Sequence, residues 1–121
     1  MLRLLVPCLA LALAGCSSSD PLSMATTAEK SRPALDAALG GWKAGKTEAE
    51  LKGQSPPVYL IDADFKRGAK LVDYKVEGDG KPHGTGFRYD VSLTIDGGKG
   101  AKKVAYRVVT EPNTAISRED D

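Results

Sequence analysis

The sequence predicts an α+β domain: an N-terminal helix, with a short second helix, packed on a four-stranded antiparallel meander sheet. Three observations carry this. Leu35, Ala38, Leu39 and Trp42 stand at i, i+3, i+4 and i+7, the spacing that lines one face of a helix. Beyond Pro56-Pro57 the apolar pattern changes to strict alternation, as on a sheet with one buried face. Asp96-Gly97-Gly98 then separates two alternating runs and supplies residues that accept the positive φ of a hairpin turn.

Each element follows from local chemistry. The first helix is expected over 33–44. Ser31 and Pro33 stand where a start signal belongs, because the N–H that proline lacks is unpaired in a first turn anyway. Gly45 stops it. Gly40-Gly41 inside the helix costs about 1 kcal/mol per glycine relative to alanine, so the pair needs a reason, expected to be close approach of the sheet beside Trp42. Thr47-Glu48-Ala49-Glu50 has capping-box spacing and opens the second helix, which ends near Gly53. Pro56-Pro57 closes the helical part. Tyr59, Ile61, Ala63 and Phe65 mark the inner face of a first strand, and Val72, Tyr74 and Val76 that of a second. Phe87, Tyr89, Val91, Leu93 and Ile95 form the cleanest alternation, and Val104, Tyr106 and Val108 return beside it. Leu35, Leu39, Trp42 and Leu51 complete the expected core.

Composition bounds the function. With 121 residues, 41% of them hydrophobic, the chain holds one small domain, placed at 33–121. Seventeen Lys and Arg against 16 Asp and Glu leave no basic surplus, which argues against nucleic acid as a partner. Both cysteines, Cys8 and Cys16, precede the domain, so neither a disulfide framework nor a cysteine zinc cluster braces it.

The N-terminus reads as an address. Arg3 supplies a positive charge, residues 4–13 form an apolar run, and Ala14-Gly15-Cys16 follows. Ten apolar residues are half of what a bilayer span of about 20 requires. Leu13-Ala14-Gly15-Cys16 resembles the lipobox of bacterial lipoproteins. That resemblance implies a signal peptide at 1–15, diacylglyceryl and acyl (palmitate-type) modification of Cys16, and a lipidated flexible tether over 16–32. Ser17 after the cysteine resembles lipoproteins forwarded to the outer membrane, on its periplasmic side. The alternative is an ordinary signal cut after Ala12-Leu13-Ala14, which leaves Cys16 as a free thiol.

One helix ending in an aromatic residue and a glycine-bounded turn, followed by four strands, resembles the cystatin-like superfold shared with the nuclear transport factor family, in which a curved antiparallel sheet wraps a helix. Trp42-Lys43-Ala44-Gly45-Lys46, residues 59–65 and residues 104–112 are also similar to small exported proteins of planctomycete-type bacteria, a resemblance that brings no activity with it. Protease-inhibiting cystatins use a Gln-x-Val-x-Gly loop, which Gln54-Ser55-Pro56-Pro57-Val58 does not match.

Candidate chemistry is sparse. Asp62 and Asp64 share one strand face and bracket a metal or a sugar in one reading, or pair with lysines and arginines on a solvated face in the other. A calcium loop is disfavoured because Lys66 and Arg67 occupy ligand and glycine positions. His83 is the only histidine and lies among four glycines, a poor platform for a general base. The superfold's enzymes pair His with Asp, so that resemblance implies His83 with Asp62 or Asp90. Lys99, Lys102 and Lys103 form a basic hairpin tip that suits either anionic head groups or a soluble turn. The expected function is a non-catalytic, envelope-anchored binding or interaction module without cofactor or metal. Its expected partners are the membrane, through the lipid, and another envelope protein or polymer. The alternative is a small-molecule binder or enzyme with a pocket among Trp42, Tyr59, Phe87, Tyr106 and His83 beneath the sheet. A third reading is a homodimer through the outer sheet face.

Overall fold

The computed structural model describes residues 26–119. The expected signal peptide, Cys16 and the tether as far as residue 25 lie outside the described residues. The elements run α1 (Ala28–Lys43), α2 (Glu48–Lys52), β1 (Val58–Ile61), α3 (Ala63–Lys66), β2 (Leu71–His83), β3 (Gly86–Ile95), β4 (Ala101–Val109) and β5 (Thr114–Arg118). The class is α+β, as expected. The sheet, however, is five-stranded and mixed rather than a four-stranded antiparallel meander. Its order is β1-β5-β4-β3-β2, with β1 parallel to β5 and every other pair antiparallel. No described helix is long and apolar enough to cross a membrane.

Helix α1 begins at Ala28, not at 33, so residues 28–32 belong to the domain rather than to a tether. Thr27 caps it, its hydroxyl accepting from the Lys30 amide at 3.3 Å. Pro33 therefore lies inside the helix and removes one ladder bond, which is why a propensity reading starts there. Tertiary bonds hold the preceding turns instead. Ser31 is fully buried with its hydroxyl 2.6 Å from that of Tyr89. The Thr26 amide donates to the Thr85 carbonyl at 3.1 Å, and the Thr26 hydroxyl accepts from the Thr110 amide at 2.8 Å.

At the other end of α1, Trp42 packs edge-on against Phe65, ring centres 5.6 Å apart, and its indole N–H donates to the Ala69 carbonyl at 2.8 Å. The expected capping box of α2 is formed by Thr47 and Glu50. It delivers Leu51 against α1, where a Cβ on Gly41 would lie 2.7 Å from Leu51 Cδ2. The glycine is thus required by α2, not by the sheet.

The strand faces differ from expectation at two places. In β1, Val58 and Leu60 point inward while Tyr59 and Ile61 are exposed. The strand stops at Ile61, and Asp62 becomes the cap of α3 instead of continuing an extended run to Phe65. Since both parities of this segment are apolar, alternation alone cannot choose between them. In β2 the register shifts between Leu71 and Asp73, so Leu71 is buried and Val72 is turned out by the irregularity. Strand β5 is additional to the four expected strands, and alternation does not reveal it because Ile116 is its only large apolar residue. Strands β3 and β4 pair as expected, Tyr89 opposite Tyr106 and Val91 opposite Val104, with their buried side facing α1.

Gly80 lies over the Tyr89 ring, where an added Cβ would meet ring carbons at 2.5 Å. Gly80→Ala should push that ring off Ser31 and lower unfolding stability by about 2 kcal/mol. Denaturant titration checks this, and a variant as stable as the parent counts against the packing described.

Candidate functional site

The five residues expected to line a pocket beneath the sheet are not brought together. Tyr106 is fully buried and its hydroxyl donates to Asp62. Trp42 is buried against Phe65. Tyr59 lies on the opposite face, exposed, with the Lys52 ammonium 5.9 Å from its ring centre. Phe87 is half-buried and stacks on Tyr89, ring centres 6.4 Å apart. His83 is exposed, 3.9 Å from the Glu119 carboxylate. Between helix and sheet the space is occupied by Leu35, Leu39, Leu93 and Tyr106, each fully buried.

Asp62 and Asp64 are neither solvated nor arranged for a metal. Both are buried. Asp62 accepts from the backbone amides of Asp64 at 2.8 Å and Phe65 at 3.2 Å, as well as from Tyr106 and from Arg118 at 3.3 Å. Asp64 accepts from Arg118 at 2.6 Å, from Lys102 at 3.0 Å and from Arg67 at 3.0 Å. The Arg118 hydrogen bond, aided by Lys102 and Arg67 against the cost of burial, holds the Asp64 carboxyl well below the usual carboxylate range. The lone pairs of both acids are committed to the protein, and among the described residues no group of three or more acidic, His or Cys side chains is placed to hold a metal. Lys102 and Lys103, expected at a free basic tip, instead reach Asp64 and Glu77.

A concavity lies elsewhere among the described residues. A cleft of about 690 Å³ opens between the N-terminal half of α1, the loop before β1 and the loop between β4 and β5. That volume falls within the range of small-ligand sites. Pro33, Ala34 and Ala37 form the helical wall, Pro56 and Pro57 a second, and Pro112 a third. Gln54 and Asn113 add amide groups, and the Lys30–Glu111 pair, at 3.2 Å, stands at the rim. The parallel β1–β5 pairing, Val58 opposite Thr114, is what brings the two proline loops side by side. The prolines are visible in the sequence, but their adjacency depends on a strand that alternation does not reveal. Such a lining offers apolar walls, neutral hydrogen-bonding groups and, at Glu29, Lys30 and Glu111, charge, a surface suited to holding a ligand.

No family model, curated protein or solved structure matches the chain.

The buried acid pair generates a stability test. Asp64→Asn removes the carboxylate that Arg118 reaches at 2.6 Å and should cost about 3 kcal/mol at neutral pH. Because the folded carboxyl titrates below its ordinary value of 3.8, the parent should keep this contribution above that pH and lose it as pH falls further. The variant's stability should change less over the same acid range. Urea melts at several pH values read both effects, and parallel pH profiles for the two proteins would contradict the assignment.

Proposed function

We propose that the chain is an envelope-anchored lipoprotein whose domain is a non-catalytic binding module, with the proline-walled cleft as its binding surface. The observation that carries this reading is the cleft itself. Its apolar wall groups are chiefly prolines and alanines, flanked by secondary structure on either side, so these groups leave little ordering entropy to spend when a ligand enters. The tight clamp of Thr26 to Thr85 and Thr110 supports it further, since it fixes the α1 end of the cleft directly where the chain enters the domain. Proline rings stack well on aromatic faces, and the flanking Gln54 and Asn113 amides can pair with a backbone, so an extended peptide with an aromatic side chain is the best-matched occupant.

The address is part of the same proposal. Lipid on Cys16 would moor the domain, since two or more acyl chains hold stably where one holds marginally. The cystatin-like likeness is kept as a reading of the architecture. It is supported by one long helix laid on the antiparallel run β2–β3–β4–β5, while the parallel β1 departs from it.

Two outcomes are expected. Labelled palmitate should enter the parent protein and be lost in Cys16→Ala, which should appear in the soluble fraction; an unlabelled parent removes the anchor. In NMR titrations of the full chain, N-acetyl-tyrosinamide at millimolar concentration should shift the amides of Ala34, Ala37, Val58 and Asn113 saturably. Ala37→Arg should abolish those shifts. Shifts scattered over the surface, or none, would remove the cleft as the binding surface.

A further inference from the structure

The outer face of the sheet, away from α1, carries charge in rows that run across the strands. Lys81 pairs with Arg88, and Arg88 with Arg107, placing three cations directly in line on β2, β3 and β4. The next row is acidic: Glu77 opposite Asp90, Asp90 opposite Ala105, with Glu119 arriving where its amide donates to the Ala105 carbonyl. A third row returns to cations, with Lys75 and Lys103 on either side of Ser92.

Like charges directly opposite on neighbouring strands are destabilising. Pairing within the protein relieves this only in part. Glu119 lies 3.6 Å from Arg88, and Glu77 lies 3.6 Å from Lys103. Among the described residues, Lys81 and Arg107 have no carboxylate within ion-pair distance, and the Arg107 Nε is buried without a hydrogen-bond acceptor. The row thus carries positive charge that no described carboxylate balances at Lys81 and Arg107, and a row of like charge of this kind attracts an anion from outside. Beside that row lies a shallow groove of about 400 Å³, floored by Ala105 and walled by Glu77, Arg88, Asp90, Lys103 and Glu119.

We propose that this face binds a linear acidic polysaccharide, its carboxylates along the Lys81–Arg88–Arg107 row and its sugar hydroxyls toward the neighbouring acids. The alternation of rows selects the chemistry. Arginine forks match planar carboxylates two bonds at a time. The flanking carboxylates of Glu77, Asp90 and Glu119 accept hydrogen bonds from hydroxyls and repel anions, so a chain with one carboxylate per ring and neutral hydroxyls between can set its charges on the cation row alone, whereas polyphosphate, charged at every unit, and an anionic lipid surface also place charge beside the acids. The small side chain of Ala105 leaves room for a ring between the rows. The face is separate from the proline cleft, and the inference stands without it.

The test uses the full chain in detergent, with an oligogalacturonate as the probe and its carboxyl-reduced counterpart, polyphosphate and phosphatidylglycerol vesicles as comparators. Calorimetry should show binding to the oligogalacturonate that is weaker by about tenfold or more for Arg88→Gln and for Lys81→Gln, and unchanged for Lys99→Gln. Arg107→Gln should weaken it as well. Circular dichroism separates that loss from misfolding, and the exposed Lys81 variant carries the test if Arg107→Gln does not fold. Failure of the parent to bind, equal binding of the carboxyl-reduced chain, tighter binding of polyphosphate or vesicles, or indifference to Lys81→Gln and Arg88→Gln would each overturn the proposal.

Discussion

The Arg118 guanidinium, enclosed between Asp62 and Asp64, is the constraint on which the rest of the sheet depends. Taking three charges out of water is costly, and the cost is offset only where each acid's lone pairs are filled. Here they are filled by Tyr106, by the amides at the start of α3, and by Lys102 and Arg67. The geometry has one solution. Asp62 must face the core, so by alternation Leu60 and Val58 must too, and Tyr59 and Ile61 are left outside. Arg118 must sit beside Tyr106, which sets the register of β5 on β4. An apolar cluster of the same volume would fill the space without dictating parity and register together.

From that register the cleft follows. Once β5 lies between β4 and β1, the loop entering β1 and the loop entering β5 must leave the sheet side by side at the same end, because the two strands are parallel. Both loops carry proline, Pro56 and Pro57 in one and Pro112 in the other, so both project rigid apolar rings, and α1 closes the third side with Pro33 and Ala37. Pro33 therefore has two effects: it interrupts the helix ladder and it presents a ring to the cleft. The interruption is tolerated because Ser31 and Thr26 are tied to Tyr89 and Thr110.

What the sequence makes legible is what local chemistry determines. The apolar stripe of α1, the Thr47–Glu50 capping box and the β3–β4 hairpin are each specified within a few residues, and each is present. Three features are not local. The parity of β1 is set by Asp62 and its distant partner Arg118. The exposure of Val72 comes from a register shift between strands. Strand β5, with Ile116 as its single large apolar side chain, is extended because β1 and β4 flank it, not because its own composition asks for it. The aromatic residues Trp42, Tyr59, Phe87 and Tyr106 share size rather than place, and Asp62 and Asp64, which read as surface acids, are buried with their lone pairs committed to the protein.

Thr26 links the two surfaces. Its amide is bonded to Thr85 in the β2–β3 turn and its hydroxyl to Thr110 before the cleft, so the chain enters the domain between the cleft and the end of the sheet that carries Lys81, Arg88 and Arg107. Fully extended, the ten residues from Cys16 to Ala25 span at most about 35 Å. If Cys16 bears lipid, this covalent limit keeps both surfaces close to the membrane whatever path the segment takes. A ligand in the cleft and one across the outer face would then meet the domain on different sides of one fixed point.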